Sequence, residues 1–472
     1  MGYFACSIDI GTSGARLYGY DDAFESRLLY SRPTGLIIEG DSVEQDAGLL
    51  AASFREALDT AIDKGCRSIG VSLYRGSVVA WRGLDPLSRV ITWMDRRPGL
   101  TRLPLTARIA SRLPLLSTIL SPGSPALSLR LLYTRYMEQL RGGAMTWTLD
   151  SFLIYMLTGR FLSDVSQAAL TGLINPYNLK PMGIVKAVLG MRGLRTPEII
   201  GHGEPVAVYK GRPVGPFISD QQAASIGLGC TSRGCMKATL GTGVFIDAPT
   251  GGPPRVFRRD VVPLILAALP GEVLYGVEGF AGGVGIVFDA FSRVLGGFGE
   301  IERLARAATR HTIVVPAIAG TRTPYKPFLR GAVLGVSPGF DRASMARGLV
   351  AGGALLFHTI YRIIRSVAGR PGRLVIGGGL SRLRVLTEAI AGLVDVEVYK
   401  SIDYNDSARG AALLAAYANG DISRRELLGY TPRVLEVEPL DLGLEGGVEA
   451  WPKVLDVLGS KSLLKALEEI LA

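Results

Sequence analysis

The chain has 472 residues, of which 48% are hydrophobic and 20% are charged, so we expect two or three domains with large buried cores and no extended disorder. The net charge is +10, but the basic residues are spread along the sequence, which argues against a nucleic-acid-binding protein with one basic patch. A diffuse positive charge also suits small anionic ligands.

The N-terminus predicts a cytoplasmic protein. The apolar run Tyr3–Ile10 is short, lacks a basic leader and contains Asp9, so it does not have the pattern of a signal peptide. The sequence also contains no stretch of about 20 uncharged apolar residues, and we therefore expect no membrane-spanning helix.

The four cysteines are Cys6, Cys66, Cys230 and Cys235, and no two of them form a CxxC pair. A zinc site is therefore not expected. Cys230 and Cys235 are close enough in sequence to form a disulfide. Free buried thiols are the more common state in a cytosolic protein, and we expect that state here.

One pattern occurs twice. Tyr3–Asp21 consists of an apolar strand, a tight turn rich in Gly, Thr and Ser, and a second strand,. Met236–Asp247 has the same order around a Gly-Thr-Gly turn. Because each hairpin opens roughly half of the chain, the repeat predicts two related domains that face one cleft.

The remaining elements have an α/β pattern. Pro and Gly at Ser121–Pro125 predict a loop, Asp150 is in position to cap a helix that follows it, and residues 421–472 form a peripheral cap that ends in an amphipathic helix. Strands are predicted at Ser68–Leu73 and Arg373–Ile376, and helices at Asp46–Lys64, Asp150–Leu157, Ser344–Val367, Ser407–Asn419 and Ser462–Leu471.

The first turn has the chemistry of a phosphate-binding site. Glycines in Asp9–Gly14 let backbone amides approach phosphate oxygens, Thr12 and Ser13 add hydroxyl donors, and Arg16 can add positive charge,. Asp9 at the end of the first strand can hold Mg²⁺, usually through water. The turn by itself is equally compatible with a plain hairpin, but the matching turn at Gly241–Gly243 favours phosphate binding.

Asp220 lies between a strand-like segment and a helix within Gly215–Ala224. The amides and dipole at a helix start stabilise an ionised carboxylate, which makes Asp220 a weaker base. Phosphoryl transfer tolerates a weak base, because the nucleophile loses its proton late and positioning matters more than basicity. In isolation, this segment would more often contain an ordinary N-cap Asp.

Two further groups can contact a ligand. Arg75, Trp93 and Asp95 follow apolar runs, and such side chains can bind polyol hydroxyls and cover C–H edges; an Arg–Asp ion pair at the surface is the alternative. Gly377–Gly379 lies between a strand and an apolar helix, where a glycine turn can lie flat against an adenine or a ribose.

Taken in order, these segments resemble the FGGY carbohydrate kinases, the family that contains glycerol kinase and xylulokinase. The resemblance covers about residues 3–417, and the order and spacing of its motifs make it specific. The matching segments are Asp9–Arg16, Val43–Asp46, Trp93–Arg97, Ser219–Ala224, Thr239–Gly243, Glu278–Gly279 with Gly285, Val315–Ala317, Pro324–Tyr325, Gly331–Gly335 with Arg347, Ile376–Ser381 and Gly410–Ala412.

The resemblance implies an α/β fold of two actin-like ATPase domains, which are ribonuclease H-like, flanking a central cleft that binds ATP. The implied domains are 1–234, with the sugar site and the catalytic base, 235–420, with the nucleotide site, and 421–472, a helical extension packed on the second domain. Asp220 is implied as the catalytic base, and Mg²⁺ would be held by Asp220 and, through water, by Asp9. The implied substrate contacts are Arg75, Asp95, Asp220 and Gln221, and the implied nucleotide contacts are Gly11, Thr12, Ser13, Arg16, Gly241, Thr242, Gly243, Gly285, Gly378 and Gly379.

The resemblance therefore predicts ATP-dependent phosphorylation of a hydroxyl of a sugar or polyol. The segment Trp93–Arg97 favours a ketopentose such as xylulose, whereas Arg75 and the DQQAA match support glycerol. This chain has Gly76 where glycerol kinase has Glu, no Tyr in the loop where glycerol kinase has a substrate-binding Tyr, and Gly377 where the adenosine motif has Asp.

An alternative from another class is a non-catalytic actin-fold protein that binds a sugar or a nucleotide. The predicted partner is a small-molecule sugar or polyol, with no nucleic acid and no membrane, and a homodimer is left open.

Overall fold

The computed structural model describes residues 2–471 except 101–102, 112–115, 117–118, 122, 257, 309–311 and 319. It divides into two compact units. Unit 1 comprises Met1–Thr231, Pro263–Tyr275 and Asn405–Thr431, and unit 2 comprises Ser232–Val262, Gly276–Tyr404 and Pro432–Ala472. A linear division at residue 234 lies close to the first boundary, but it does not include the two later returns of the chain into unit 1.

Strands and helices alternate along much of the chain. The strands are β1 (Ala5–Gly11), β2 (Gly14–Tyr20), β3 (Ser26–Pro33), β4 (Ile37–Glu39), β5 (Ser42–Gln45), β6 (Ile69–Leu73), β7 (Val78–Arg82), β8 (Asp85–Pro86), β9 (Val90–Ile91), β10 (Met145–Thr148), β11 (Leu162–Asp164), β12 (Glu198–Ile200), β13 (Ala207–Tyr209), β14 (Arg212–Ser219), β15 (Cys235–Leu240), β16 (Val244–Pro249), β17 (Val262–Leu269), β18 (Glu272–Ala281), β19 (Ile313–Val315), β20 (Ala332–Leu334), β21 (Arg373–Gly377), β22 (Glu397–Ser401) and β23 (Val434–Glu436). The helices are α1 (Ala47–Asp63), α2 (Arg97–Leu100), α3 (Leu105–Ala110), α4 (Pro125–Arg135), α5 (Met137–Arg141), α6 (Leu149–Thr158), α7 (Val165–Leu170), α8 (Gly183–Val188), α9 (Asp220–Gly227), α10 (Val284–Leu295), α11 (Phe298–Ala307), α12 (Arg342–Ala368), a 3₁₀ turn (Gly379–Arg382), α13 (Arg384–Ala391), α14 (Asp406–Ala418), α15 (Arg424–Leu428), α16 (Glu445–Leu458) and α17 (Lys461–Leu471).

The sheets that contain the two glycine-turn hairpins repeat one topology. The first has the strand order β13-β14-β6-β1-β2-β3, and the second has the order β17-β18-β16-β15-β21-β22-β23. In each sheet an antiparallel three-strand meander (β3-β2-β1 and β18-β16-β15) is followed by two parallel strands and a last antiparallel one. The repeated hairpin in the sequence therefore marks a repeated sheet, and the prediction of two related domains is confirmed.

Smaller sheets complete the two units. A second sheet of unit 1 has the order β10-β7-β9-β5-β4, with β8 beside β7, and the pairs β11–β12 and β19–β20 form short two-stranded sheets. The hairpin end of β17 and β18 (residues 263–275) belongs to unit 1. Each unit has its own buried apolar cluster, to which alternate residues of the central strands contribute, such as Cys6, Ile8 and Ile10 of β1 in unit 1 and Met236, Ala238 and Leu240 of β15 in unit 2,. In unit 1, Ala5 and Ile218 join a separate cluster with residues of α14.

Helix α14 packs closely on the first sheet, although it lies near the C-terminal end of the sequence. A Cβ at Gly70 of β6 would collide with the carbonyl oxygen of Ala411, and a Cβ at Gly410 would collide with that of Ala223 in α9. Small residues thus let α14 approach both the sheet and α9 at backbone distance. The Gly410–Ala412 motif marks this packing.

Helix α12 is the core helix of unit 2. Asp341 caps its start, since its side chain accepts from the Ser344 amide and the Ser344 hydroxyl oxygen accepts from the Asp341 amide,. Within the described part of the chain, α12 is the one helix long and apolar enough to cross a membrane, but most of it is buried inside unit 2. The C-terminal helices also belong to this unit, where Trp451 and Leu455 of α16 join the buried cluster.

All four cysteines are in disulfides, so the expectation of free thiols is wrong. Cys6 of β1 pairs with Cys66, whose Cα lies 5.8 Å away, and Cys230 and Cys235 are disulfide-bonded as well. The parallel pairing of β1 with β6 brings Cys6 beside the chain that enters β6, where the Cys6 amide donates to the Ser68 carbonyl at 2.9 Å. No local pattern connects two residues that are 60 positions apart.

Candidate active site

Three parallel strands of unit 1 end at the same edge of the sheet. Ile10 of β1 is opposite Leu73 of β6, and Leu73 is opposite Ser219 of β14. Asp9 therefore lies at this edge, and Arg75 and Asp220 follow directly beyond the strand ends. The carboxyl ends of parallel strands are where α/β folds place ligand-binding side chains.

The turn between β1 and β2 is held from several sides. The Gln45 side chain donates to the Thr12 carbonyl at 2.9 Å, and Arg16 Nη2 donates to Ser13 Oγ at 3.1 Å. Gly14 has a φ of +153°, and a Cβ there would collide with the Arg32 carbonyl. The turn thus has a fixed shape that only glycine allows at this position, with a guanidinium beside it.

Asp9 is a partly enclosed carboxylate with hydroxyl partners. Ser407 Oγ, at the start of α14, donates to Asp9 Oδ1 at 3.0 Å. Burial raises the pKa of Asp9, while hydrogen bonds from Ser407 and Ser72 and the charge of Arg16 lower it. A cation beside this carboxylate would favour its ionised form. Sequence reasoning missed Ser407, which is 398 residues from Asp9.

Asp220 is the first residue of α9. Ser219 is the N-cap, so the simple reading of Asp220 as an N-cap residue is wrong. The Gln221 amide donates to Asp220 Oδ1 at 2.8 Å, and the Gln221 side chain lies 3.4 Å from Asp220 Oδ2. The half-buried carboxylate is thus oriented by its neighbour at a helix start, where negative charge is favoured.

Arg75 lies close to the same helix. Its Nη1 is 3.4 Å from Gln222 Oε1, so the arginine that follows β6 and the helix that carries Asp220 are adjacent. Gly76 has a φ of +75°, and a Cβ there would be 3.3 Å from the Trp93 Cβ. Trp93 therefore packs beside the backbone that carries Arg75. Of the Ser121–Pro125 loop on this side, Pro122 lies outside the described residues.

Asp95 is committed to an ion pair. Its buried carboxylate lies 2.6 Å from Arg97 Nη2 and accepts from the Val43 amide at 3.1 Å. Arg97 also contacts Glu44 at 2.6 Å. The structure therefore pairs the buried Asp95 carboxylate with Arg97, and not with Arg75 in the surface pair that the sequence left open as the alternative. A contact between Asp95 and a substrate stays a prediction.

Unit 2 has a corresponding glycine cluster. In the turn between β15 and β16 the Gly241 amide donates to the Gly243 carbonyl at 2.9 Å, and the Gly285 amide at the start of α10 donates to the Thr242 carbonyl at 3.1 Å. A Cβ at Gly285 would collide with the Gly241 carbonyl, and one at Gly378, where φ is +87°, would collide with the Leu240 carbonyl. Gly379 opens the 3₁₀ turn beside them.

The predicted site residues thus fall into two groups, one in each unit. Unit 1 places the Asp9–Arg16 turn, Arg75, Asp220 and Gln221 along one sheet edge, and Asp95 is held in its ion pair with Arg97. Unit 2 gathers its predicted glycines where β15, β21 and α10 meet.

A further buried carboxyl, Asp150, was predicted to cap a helix. The structure corrects this: the N-cap of α6 is Thr148, and Asp150 points into unit 1. Its Oδ2 accepts from Ser163 Oγ at 2.8 Å and from the Asp164 amide at 2.7 Å. Burial raises the pKa of Asp150 to about 7, and the negative charge of Asp164 raises it as well.

We expect Asp150 to make the protein less stable as the pH rises. Its pKa in the unfolded chain is about 4, so between about pH 4 and pH 7 the native state binds a proton that the unfolded state has lost, and stability falls across this window and then levels off. Asp150→Asn mimics the protonated form and removes the effect. From pH 5 to pH 8 the parent should lose roughly 1–4 kcal/mol relative to the variant in urea unfolding. A pH-independent difference would contradict this.

Comparison with known proteins identifies relatives along most of the chain. Residues 4–211 match the N-terminal domain, and residues 294–419 the C-terminal domain, of the FGGY family of carbohydrate kinases. A glycerol kinase from Citrifermentans bemidjiense is 31% identical over 88% of this chain and 90% of its own length. An uncharacterized sugar kinase from Archaeoglobus fulgidus is 26% identical over 95% of this chain and 98% of its own length.

Solved structures share the fold. A xylulose kinase from Brucella ovis superposes with a TM-score of 0.82 at 20% identity, covering 99% of this chain and 99% of its own. At that identity the likeness concerns the fold. The predicted fold, with two actin-like ATPase domains, is confirmed.

Proposed function

Because the chain belongs to the FGGY family of carbohydrate kinases, we propose that it transfers the γ-phosphoryl group of ATP to a hydroxyl of a sugar or polyol, with Asp220 as the catalytic base. The observation that carries the proposal is the sheet edge of unit 1, where the Asp9–Arg16 turn, Arg75 and Asp220 follow neighbouring parallel strands.

The oxygen of the acceptor hydroxyl forms a bond to the γ-phosphorus, and Asp220 accepts the proton of that hydroxyl. The bond from the γ-phosphorus to the β–γ bridging oxygen breaks, which releases ADP. The Gln221 amide orients the carboxylate, and Arg75 and Gln221 bind the substrate hydroxyls. Turn amides, the hydroxyls of Thr12 and Ser13, and Arg16 stabilise phosphate charge.

The residues near Asp9 fit a magnesium ion. Among the described residues no group of three or more His, Cys, Asp and Glu side chains could form a complete metal cage, and Mg²⁺ in phosphoryl-transfer sites needs only one or two carboxylates besides phosphates and water. Asp9, through water, and Asp220 would hold it. There it would neutralise phosphate charge.

The glycine turns of both units are proposed to bind the nucleotide. Gly11, Thr12 and Ser13 of unit 1 and Gly241, Thr242 and Gly243 of unit 2 would bind the triphosphate. The nucleoside would contact Gly285, Gly378 and Gly379. The proposal requires both turns to act on one ATP molecule, and domain closure would then exclude water from the reaction.

We place the reaction in the cytoplasm, where ATP is available. A homodimer and the lack of nucleic-acid and membrane partners stay predictions.

A ketopentose such as xylulose is our first choice of substrate, and glycerol is the alternative, supported by the glycerol kinase that is 31% identical. A coupled ADP assay with a panel of sugars and polyols tests both. ADP formation that depends on one acceptor supports a kinase. Acceptor binding without ADP formation would support the non-catalytic alternative and overturn the proposal.

Glycerol kinase has a Glu where this chain has Gly76. Introducing that carboxylate by Gly76→Glu should fail to create a preference for glycerol. The φ of +75° and the Trp93 Cβ at 3.3 Å oppose any side chain, and the left-handed backbone alone costs about 1 kcal/mol. We expect a lower Tm and no gain in kcat/KM for glycerol. Gly83→Glu is the matched control, since Gly83 also has a positive φ, +57°, but open space around its Cβ. A glycerol-selective, stable Gly76→Glu variant would contradict the strain argument.

A further inference from the structure

The short helix α7 touches two of the strand ends that carry site residues. Ser166 Oγ accepts from the Ser219 amide at 2.9 Å, and the hydroxyls of Ser166 and Ser219 are 2.9 Å apart. The next residue, Gln167, lies with its side-chain nitrogen 3.3 Å from the Leu73 carbonyl and 3.4 Å from the Tyr74 carbonyl. Adjacent residues of α7 thus hold the backbone directly before Asp220 and directly before Arg75.

Ser166 is itself fixed by a buried acid. Its hydroxyl donates to Asp164 Oδ2, which also accepts from the Gln167 amide at 2.9 Å and so caps α7. His202 Nε2 is 2.7 Å from Asp164 Oδ1. Because His202 Nδ1 accepts from the Ala268 amide at 3.0 Å, the ring proton is on Nε2, and the histidine donates to Asp164.

These groups are fully enclosed in unit 1. Ser166, Ser219 and His202 are 0% exposed, and Asp164 is 1% exposed. Hydrogen bonds in such surroundings are strong and costly to break, so they hold the strand ends in one position. Ser219 is the N-cap of α9, yet its side chain makes no capping bond to the helix and bonds to Ser166 instead.

We propose that Ser166 and Gln167 are positioning residues, with Ser166 setting the place of Asp220 and Gln167 setting the place of Arg75. This inference rests on the proposed function, since it assigns Asp220 to the proton transfer and Arg75 to substrate binding. It divides the two effects between neighbouring side chains: displacement of the base lowers kcat, and displacement of the arginine raises the KM for the acceptor.

The test measures kcat and KM with ATP and the faster of two acceptor probes, D-xylulose and glycerol. Ser166→Ala should lower kcat by about 10- to 100-fold with the KM for ATP unchanged, and Ser166→Thr, which keeps the hydroxyl, should recover most of the loss. Gln167→Met, which keeps the size but not the donor, should mainly raise the KM for the acceptor. Ser68→Ala is the matched control: Ser68 is equally buried at the opposite end of β6, and its hydroxyl has no partner among the described residues. It should leave both constants unchanged.

Unchanged kcat in Ser166→Ala, or equal effects of both variants on kcat and KM, would overturn the positioning roles. If Ser166→Ala does not fold, Ser166→Cys tests the same link, because it nearly keeps the volume of the side chain but replaces the oxygen that accepts from the Ser219 amide with a weak acceptor,; a wild-type kcat would again refute the idea. Placed in an Asp220→Asn background, Ser166→Ala should change kcat less than about twofold, because a base that is absent cannot be displaced. Full turnover in Asp220→Asn alone would instead refute the base assignment of the proposed function.

Discussion

Replacing Asp220 with Asn is expected to lower kcat by roughly 10²–10⁴-fold, the usual effect of losing a positioned general base. ATP should still bind. Asn keeps an oxygen that can accept the Gln221 amide bond, which is 2.8 Å long in the parent, so the start of α9 should not move. What is lost is the capacity to take the hydroxyl proton. Steady-state kinetics with the best acceptor, together with titration calorimetry of ATP, separate the two effects.

The matched control is Asp59→Asn on α1. Asp59 is an exposed carboxylate of unit 1 that pairs with Lys210 at 2.7 Å, so losing it should leave kcat within about twofold, as expected for a surface pair. Near-normal turnover in the Asp220 variant would remove Asp220 from the mechanism. A loss of both turnover and ATP binding would point to a collapsed site and would leave the base to be found among other groups at the same edge.

The repeated topology was accessible from the sequence because it depends on local patterns. Each turn contains a glycine that backbone contacts require, since a Cβ at Gly14 would collide with the Arg32 carbonyl and one at Gly243 would lie 2.8 Å from the Ala281 carbonyl oxygen. Apolar runs on either side of each turn define the strands. The predicted helix Asp46–Lys64 agrees with α1, Ala47–Asp63, since Asp46 caps it by accepting from the Leu49 amide. Strand pairing then brings Asp9 and the ends of β6 and β14 together.

The contacts that complete the site join residues far apart in the sequence, and no local sequence pattern indicates them. Ser407 reaches Asp9 only because α14 returns to unit 1, and the partner of Cys6 is set by the pairing of β1 with β6. Asp150 had the sequence context of a helix cap, but tertiary packing turned it inward. Asp95 matched a family motif, yet the sequence could not show that Arg97 already occupies its carboxylate.

The second large effect concerns stability and lies in unit 2. Lys237 Nζ is 2.8 Å from Asp247 Oδ2, and both side chains are 0% exposed. The two residues are opposite each other on β15 and β16, and Glu278 of β18, also buried, is opposite Asp247 on its other side. Removing Lys237 would therefore leave two carboxylates together in a buried site.

We expect Lys237→Met to destabilise the protein by about 3–5 kcal/mol, the usual effect of breaking a buried ion pair on one side. Urea unfolding followed by circular dichroism measures it. Lys210→Met, which breaks the exposed pair with Asp59, should leave the urea midpoint almost unchanged, because solvent screens such a pair. A similar small change in Lys237→Met would show that the buried pair contributes little to the native state.

The double variant Lys237→Met, Asp247→Leu separates the cost of a lone charge from the value of the pair. Replacing both partners by apolar groups is often neutral or stabilising, so most of the lost stability should return. The pair also opposes a slip of β15 against β16, because any other register would bury two separated charges. If this register control matters for the turn at Gly241–Gly243, the double variant will regain its urea midpoint but bind ATP more weakly than the parent. Equal recovery of both would mean that the hydrophobic rows of the strands hold the turn in place without the ion pair.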